Sequence, residues 1–319
     1  MSRRKKWMFA AAILFAAGVL LCVISFALLG FDFDKLSTVK YVTNTYEVLE
    51  NFHKITINAD TEEISFVLSE DENCRVICLE EENDPHKVIV NDDNMIIERK
   101  NRNGKHFNMG ITLESPTITV YLPSEFYEEL TVISDTGDVS IPAEFSFGKI
   151  SITLDSGDVT CGSSVKNDIY IKTDTGNIAV TDLSASDLEL ATDTGGIEAS
   201  GIVLSGDMII GNGTGITVLN NISCKNLASN GDTGNLRLTN VIAAGEFQIE
   251  RDTGDVEFNG CDASAIFVRT KTGNVSGTLL NDMAFITQTD TGNVDVPKTI
   301  TGGRCEISTD TGDIHIKTK

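Results

Sequence analysis

A four-residue motif, Asp-Thr-Gly followed by Asp or Asn, is the stretch of this chain whose residue types could do chemistry. Its clearest copies begin at Asp135, Asp174, Asp252, Asp290 and Asp310. Asp-Thr-Gly is the active-site triplet of aspartic proteases, in which two carboxylates share one proton. Carboxylates that lie close together also bind hard cations such as Ca²⁺, which takes oxygen ligands. The spacing of the copies decides between these chemistries and a structural role.

Ten copies of the motif recur at intervals of 19 or 20 residues, with first residues at positions 135, 155, 174, 193, 213, 232, 252, 271, 290 and 310. So regular a spacing is typical of a solenoid, in which each period forms one coil. Equivalent residues of successive coils stack along one edge, whereas a protease needs two copies that face each other across a cleft. The spacing therefore argues against a protease.

The apolar residues on either side of the motif predict the elements that position it. They alternate with polar residues before the motif, as at Ile150 and Ile152, and again after it, as at Val159 and Cys161. Alternation with a period of two residues predicts short β-strands, so the motif is a corner between two strands. A third apolar residue predicts a further inward contact in many coils: Phe145, Val165, Leu183, Ile222, Val241, Leu280 and Ile300. We predict an all-β fold, a β-helix (β-solenoid) of about ten coils with 19–20 residues per coil.

Each corner residue has a predicted structural role. Glycine stands at the third position of all ten copies, where the chain needs a positive φ without steric cost. The leading Asp can accept backbone N–H groups across the corner, and the Thr or Ser after it can form a hydroxyl ladder. Stacked aspartates repel each other, but Lys271 takes the leading position of one copy. We predict that Lys271 lies between Asp252 and Asp290 and offsets both charges.

Cation binding is the alternative to a structural role for the corner carboxylates. Asp135, Asp138, Asp155 and Asp158 fall on adjacent predicted coils, and side chains stacked about 4.8 Å apart can share a cation. These four residues are a candidate calcium site. Calcium-binding β-rolls, however, use a glycine-rich nonapeptide repeat, which this chain lacks. Structural turns are the preferred interpretation, and no other cofactor is expected.

The N-terminus predicts a membrane anchor. Basic residues fill positions 3–6, and an apolar run without charge follows from Trp7 to Leu29. Such a run is long enough to cross a hydrocarbon layer about 30 Å thick, and the basic residues stay on the cytoplasmic side. A cleaved signal peptide is the alternative, but its apolar region is usually only about 7–15 residues long. We therefore predict a single-pass protein of the cell membrane, with a cytoplasmic N-terminus and an extracytoplasmic C-terminal region.

The rest of the chain divides by its pattern of strands and turns. Between the apolar run and the regular repeats, short apolar runs alternate with turn residues and include a worn corner at Asp60-Thr61-Glu62-Glu63. This part is expected to cover the end of the solenoid. The basic stretch Arg99–Asn108 is predicted to be a solvated loop. The predicted divisions are 1–6 cytoplasmic tail, 7–30 transmembrane anchor, 31–45 linker, 46–129 irregular β cap and 130–319 β-solenoid.

Charge and composition exclude several classes of partner and activity. Lys and Arg number 25 against 47 Asp and Glu, a net charge of −22, so nucleic acid and anionic lipid are poor partners. The seven cysteines are predicted to be free thiols, and the four histidines are too dispersed to predict a metal site or a catalytic triad. The basic residues that we expect to face outward are scattered: Lys172, Arg251, Arg269 and Lys317. We therefore predict that the protein is not an enzyme.

One group of segments resembles a known family. Val120-Tyr121-Leu122-Pro123 leads through Leu130-Thr131-Val132 into the corner Asp135-Thr136-Gly137-Asp138-Val139. With the repeated corners, these segments resemble the bacterial "putative adhesin" β-helix family of unknown function, over about residues 50–319. Its membrane-anchored, LiaG-like members are linked to envelope stress responses. The resemblance implies an extracytoplasmic, non-enzymatic β-helix and carries over no catalytic residues.

These observations predict a non-catalytic interaction module, either adhesin-like or an accessory in the envelope stress response. The membrane would hold it through the N-terminal helix, and its partner would be an unknown envelope protein or polysaccharide. The alternative is a β-helix enzyme, a lyase or hydrolase, that acts on envelope polysaccharide. Such an enzyme would carry a groove with clustered Asp and Arg or Lys side chains, whereas uniform ladders would favour the module.

Overall fold

The structure is a computed structural model that describes residues 3–28, 30, 39–71, 73–100 and 115–319. Within these residues, one helix, α1 (Arg3–Leu28), precedes 27 β-strands that hydrogen bonds join into one sheet. The strands before the regular repeats are β1 (Tyr41–Val48), β2 (Lys54–Ala59), β3 (Glu63–Leu68), β4 (Cys74–Glu81), β5 (His86–Asn91), β6 (Asn94–Arg99) and β7 (Thr117–Leu122). The first strands of the repeats are β8 (Phe126–Thr136), β9 (Val139–Ile141), β10 (Ser146–Ser156), β11 (Val159–Cys161), β12 (Ser164–Val165), β13 (Ile169–Thr175), β14 (Ile178–Thr181), β15 (Ser184–Ala185), β16 (Leu188–Thr194) and β17 (Ile197–Leu204). The remaining strands are β18 (Met208–Thr214), β19 (Thr217–Cys224), β20 (Leu227–Thr233), β21 (Leu236–Thr253), β22 (Val256–Thr272), β23 (Val275–Leu279), β24 (Met283–Thr291), β25 (Val294–Asp295), β26 (Gly303–Thr311) and β27 (Ile314–Thr318).

Each coil contributes one strand before its corner and one after it, and both stack on the neighbouring coils in parallel. Ile150 of β10 lies opposite Leu130 of β8 on one side and Ile169 of β13 on the other. After the corner, β11 pairs in the same way with β9 and β14. Equivalent positions therefore form continuous rows along the solenoid. The prediction of an all-β β-solenoid of about ten coils is confirmed.

The core lies inside the coils and is built from the alternating apolar residues. Ile150 and Ile152 are fully buried, and the equivalent residues of the next coils stack on them. Burying one such side chain stabilises the fold by roughly 1.5–3 kcal/mol, and the repeat multiplies this gain along the solenoid. Most of the predicted third inward residues are buried: Phe145, Val165, Leu183, Ile222 and Val241.

The last two coils stack in an order that the sequence does not show. β26, which leads into the corner at Asp310, pairs with β22 on one side and with β24 on the other. The coil of Asp290 is therefore outermost, although it comes earlier in the chain. Ile307 of the inner coil is buried, whereas Thr287 at the same position of the outer coil is polar and partly exposed. The more polar coil thus faces the end of the solenoid, and the prediction that Ile300 points inward is wrong because its side chain is 93% exposed.

This order changes the predicted surroundings of Lys271. Its Nζ lies 2.7 Å from Asp252 Oδ1, so the predicted ion pair with that residue is confirmed. On the other side β22 pairs with β26, and the neighbouring corner begins at Asp310. The prediction that Lys271 also offsets Asp290 is wrong, because the inserted coil separates the two residues.

The N-terminal end of the solenoid is covered by further strands. β2 and β3 form a coil on β8 and β9, and Ile64 N of this coil donates to Asp138 O over 2.8 Å. β6 and β7 lie on the outer side of this coil, and β5, β4 and β1 add antiparallel pairs. Most of the predicted loop Arg99–Asn108 lies outside the described residues, but Arg99 ends β6.

Helix α1 contains a span that is apolar enough to cross a membrane. Trp7–Ser25 has a mean hydropathy of 2.6 and is not buried inside the protein. This span is compatible with a single-pass membrane anchor or a signal anchor. Residues 31–38, the first part of the predicted linker, lie outside the described residues.

Candidate functional site

The corner glycines have the backbone conformation that their position predicts. All ten have φ between 124° and 159°, a region that side chains other than glycine rarely adopt. Gly176 N donates to Thr194 O of the next coil over 2.9 Å. A Cβ at Gly176 would lie only 2.0 Å from Gly157 O of the preceding coil. Close stacking and a positive φ therefore both require glycine here.

The fourth corner residue caps the backbone of the next coil. Asp138 Oδ1 accepts a hydrogen bond from Asp158 N over 2.8 Å, and Asp158 Oδ1 accepts one from Asn177 N over 2.7 Å. Asn177 Oδ1 continues the series and accepts from Gly196 N over 2.8 Å. An amide oxygen accepts such a bond as a carboxylate does, which explains why both Asp and Asn occur at this position. We predicted this role for the leading Asp, but in these coils the structure gives it to the fourth residue.

A second ladder lies inside the corner, one residue before the leading position. Thr192 Oγ1 donates to Gly176 O over 2.9 Å, and Thr309 Oγ1 donates to Gly273 O over 3.1 Å. Both threonines are buried, so each bond satisfies a carbonyl that would otherwise be desolvated. We did not single out this position, although threonine recurs there: Thr173, Thr192, Thr270, Thr289 and Thr309.

The candidate calcium residues lie where the sequence places them. Asp135, Asp138, Asp155 and Asp158 are exposed on two adjacent corners. Their carboxylates do not form a group of three or more donor atoms within 4.8 Å of one another. Two of them are engaged in the amide caps described above. The calcium hypothesis stays a prediction.

A buried polar cluster lies at the covered N-terminal end, and we call it the cap cluster. It consists of Glu62, Cys78, Glu80, His86 and Arg99. The worn corner supplies Glu62, and the inward face of β4 supplies Cys78 and Glu80 at alternate positions. His86 lies at the start of β5, and Arg99 lies at the end of β6.

Ion pairs and hydrogen bonds link the cap cluster. His86 Nδ1 lies 2.5 Å from Glu80 Oε2, and His86 Nε2 lies 3.4 Å from Glu62 Oε1. Arg99 Nη2 donates to the same Glu62 oxygen over 2.6 Å. The side chains of Glu62, Glu80 and His86 are at most 1% exposed. Unpaired charges at such a depth are costly, so each charge depends on its partner.

Glu62 has a backbone role as well as an electrostatic one. It stands where the regular corners have glycine, and its Oε2 accepts hydrogen bonds from Asp60 N over 2.8 Å and Thr61 N over 3.0 Å. The worn corner therefore turns its third residue inward and uses that side chain to satisfy its own amides. Burial opposes the ionisation of Glu62, but His86, the charge of Arg99 and the Asp60 amide hold its pKa well below the usual range.

The pKa values of His86 and Cys78 in the cap cluster are also shifted from their ordinary values. Burial by itself would lower the pKa of His86, but contacts with Cys78 and Glu62 raise that pKa to about 10. Burial raises the pKa of the Cys78 thiol. The cap cluster therefore places the His86 imidazole between two carboxylates, beside the Cys78 thiol.

The cap cluster corrects two sequence predictions. His86 is not isolated, because the turn that follows β4 brings it to Cys78 and Glu80. Arg99 does not belong to a solvated loop, because its side chain is only 15% exposed and binds Glu62. The prediction of free thiols is confirmed for all seven cysteines, and Cys22 is the one exposed cysteine.

Arg251 was predicted to face outward and instead points into the solenoid. The residue is 4% exposed, and its Nη2 donates to Ser229 Oγ over 2.7 Å. Burial lowers its pKa to about 10. A Cβ at Gly231 would lie 2.4 Å from Arg251 Nη1, so the glycine of the preceding coil makes room for the guanidinium.

An open groove lies on the outer face of the C-terminal coils, and we call it the C-terminal groove. It has a volume of about 400 Å³, and its lining includes Gln248, Glu250, Phe267, Arg269, Asp290, Glu306 and Asp310. One row across it runs from Glu250 to Arg269 on the next coil. The Arg304 guanidinium lies over the Phe267 ring, 5.7 Å from its centre. The groove therefore combines an aromatic face with charges of both signs.

Stacked parallel coils with glycine corners and amide-capping Asp or Asn define a repetitive β-solenoid. The chain belongs to the Toastrack DUF4097 family, whose sequence model matches residues 52–214 and 203–319. The resemblance to a β-helix family of unknown function that we found in the sequence is thereby confirmed.

Several solved structures are similar to this chain. A putative adhesin from Parabacteroides distasonis is 12% identical, with a TM-score of 0.48, and the match covers 88% of this chain and 98% of that chain. A putative adhesin from Bacteroides fragilis is 14% identical, with a TM-score of 0.38 and coverage of 88% and 97%. A putative lipid binding protein from Parabacteroides distasonis is 14% identical, with a TM-score of 0.31 and coverage of 86% and 97%. Among curated proteins, none matches the chain.

Proposed function

We propose that the protein is a membrane-anchored, extracytoplasmic interaction module that binds an envelope protein or polysaccharide with the side of its solenoid. The N-terminal helix holds it in the membrane, and the adhesin-like or envelope-stress role belongs to the exposed coils. This proposal rests on where the reactive chemistry lies in the molecule. The His86 imidazole and the Glu62 carboxylate, whose pKa values are shifted, lie in the cap cluster and are buried away from any macromolecular substrate.

The exposed surface supports binding rather than catalysis. The fourth-position side chains of Asp138, Asp158 and Asn177 cap backbone amides of successive coils, which is a structural use of those groups. The C-terminal groove is open to solvent, and it offers both an aromatic ring and charges of both signs. Polysaccharide and extended polypeptide both fit such a surface, because stacking and charged hydrogen bonds recognise each of them.

The C-terminal groove also favours one alternative, a polysaccharide-active lyase or hydrolase. Glu250 lies opposite Arg269 on the next coil, and Glu306 lines the same groove, so two carboxylates and a guanidinium share it. Glycoside hydrolysis uses a pair of carboxylates. An enzyme would release new reducing ends from purified envelope polysaccharide, and Glu250→Gln would abolish that release. An interaction module releases none.

Membrane topology gives the first prediction. The basic residues at positions 3–6 precede the apolar span, so we expect the coils to lie outside the cytoplasmic membrane. Protease added to intact protoplasts should remove the solenoid, and a cytoplasmic marker protein should survive the same treatment. Full protection of the solenoid until the membrane is broken would contradict this orientation.

A further inference from the structure

We propose that the cap cluster binds one divalent transition metal ion through Cys78 Sγ, the Glu80 carboxylate and the His86 imidazole. One donor atom from each residue lies within 4.8 Å of the donors of the other two, and all three residues are buried. Among the described residues, no other group of three or more His, Cys, Asp or Glu side chains converges in this way. A thiolate, an imidazole and a carboxylate together suit Zn²⁺, whereas Ca²⁺ and Mg²⁺ take oxygen ligands.

The local fold sets the three ligands in place. Cys78 and Glu80 are alternate residues of β4, so both side chains point to its buried face. The chain then reverses, with Asp84 N donating to Glu81 O over 3.0 Å, and His86 begins β5. All the ligands therefore come from one strand–turn–strand unit, and no distant loop has to move to form the site.

Surrounding groups fix the Glu80 carboxylate in advance. Its Oε1 accepts hydrogen bonds from Asn44 Nδ2 over 2.5 Å and from Tyr46 OH over 2.6 Å. Its Oε2 accepts one from His86 N over 2.7 Å. Such outer partners hold a ligand in position before the ion arrives.

The imidazole is oriented in the same way. His86 Nδ1 lies 2.5 Å from Glu80 Oε2, and the metal ion would bind both atoms in place of this direct contact. His86 Nε2 makes no hydrogen bond in the metal-free arrangement, although Glu62 Oε1 lies 3.4 Å away. When Nδ1 is bound to the metal, Nε2 carries the ring proton and donates to Glu62, which Arg99 holds from the other side. Glu62 is therefore a positioning residue for the ligand His86.

The ligand set of the cap cluster balances the charge of the ion. Cys78 would bind it as a thiolate and Glu80 as a carboxylate, so two anionic ligands face the two positive charges of the metal. The ion therefore adds no uncompensated charge to the buried cluster.

Cobalt(II) gives the direct test, because bound thiolate produces a charge-transfer absorption. Full-length protein is purified in detergent under reducing conditions, stripped with a chelator and titrated with Co²⁺. We expect one Co²⁺ per chain with this absorption and its displacement by Zn²⁺. Cys78→Ser should abolish the absorption, and Glu62→Gln should keep it but weaken binding by about 10–100-fold. The matched control is Cys74→Ser, because Cys74 is buried on the same face of β4 and contacts Met95 instead.

Two outcomes would overturn the metal site. One is Co²⁺ binding by wild type without thiolate absorption, which would assign the ion to exposed carboxylates. The other is the same absorption in Cys78→Ser as in wild type. X-ray absorption of the wild-type zinc complex provides a measurement that needs no variant. One sulfur and at least one imidazole in the first shell support the site, and a shell of oxygen atoms alone refutes it.

Discussion

Replacing Glu62 with alanine should lower the free energy of unfolding of the metal-free protein by about 3–5 kcal/mol. The substitution leaves the buried His86 and the partly buried Arg99 without the carboxylate that both of them face, and breaking a buried ion pair from one side costs about this much. It also removes the acceptor for the amides of Asp60 and Thr61. Urea denaturation of full-length protein in detergent, followed by circular dichroism, measures the change.

The matched control for this prediction is the next residue in the chain. Glu63 has the same side chain but is exposed at the start of β3. Glu63→Ala should therefore change the free energy of unfolding by less than about 0.5 kcal/mol. Equal effects of the two substitutions would show that the cap cluster is not a buried, mutually dependent network.

Replacing Gly176 with alanine should destabilise the solenoid by about 2–6 kcal/mol. A residue other than glycine held at φ 151° costs roughly 1–3 kcal/mol in backbone strain. The added Cβ would also overlap Gly157 O at 2.0 Å, and relieving such overpacking costs about 1–3 kcal/mol more. The urea midpoint of the variant measures the loss.

A glycine elsewhere in the solenoid gives the control. Gly211 lies in β18 without a positive φ, and a Cβ there would meet Ala191 Cβ at 3.7 Å, an ordinary contact. Gly211→Ala should be neutral or slightly stabilising, because alanine restricts the unfolded chain more than glycine does. If Gly176→Ala were equally mild, the corners would not depend on the stacked glycine geometry.

The sequence predicted the repeating part of the fold because every coil has the same structural requirements. Each corner needs glycine for the same reason, and each strand buries the same alternate positions. The pattern of one coil therefore predicts the structure of the other coils. The buried threonine ladder obeys this logic too. It was not predicted, because a threonine one residue before the corner gives no sign in the sequence that its side chain is buried.

The ends of the solenoid could not be read from the same pattern. The coil of Asp310 lies between the coils of Lys271 and Asp290, and its inward residues are more apolar than those of the Asp290 coil. The spacing of the motif does not predict this order, because it does not compare the apolar character of different coils. The cap cluster lies in strands that follow no repeat, so the corner spacing gave no indication that Glu62 meets His86 and Arg99. Arg251 is buried because Gly231 on the preceding coil leaves space for its side chain. This burial depends on a contact between two coils, so the pattern of one coil does not predict it.

The central claim is that the C-terminal groove binds a partner outside the membrane, and site-specific photo-crosslinking in intact cells tests it most directly. A photoreactive residue at Gln248 lies in the groove, and one at Thr160 lies exposed on a strand that follows a different corner. We expect an envelope protein or polysaccharide to be crosslinked from Gln248 and not from Thr160, and we expect Phe267→Ala to reduce the yield. Equal adducts from both positions, or adducts with cytoplasmic proteins, would contradict the account.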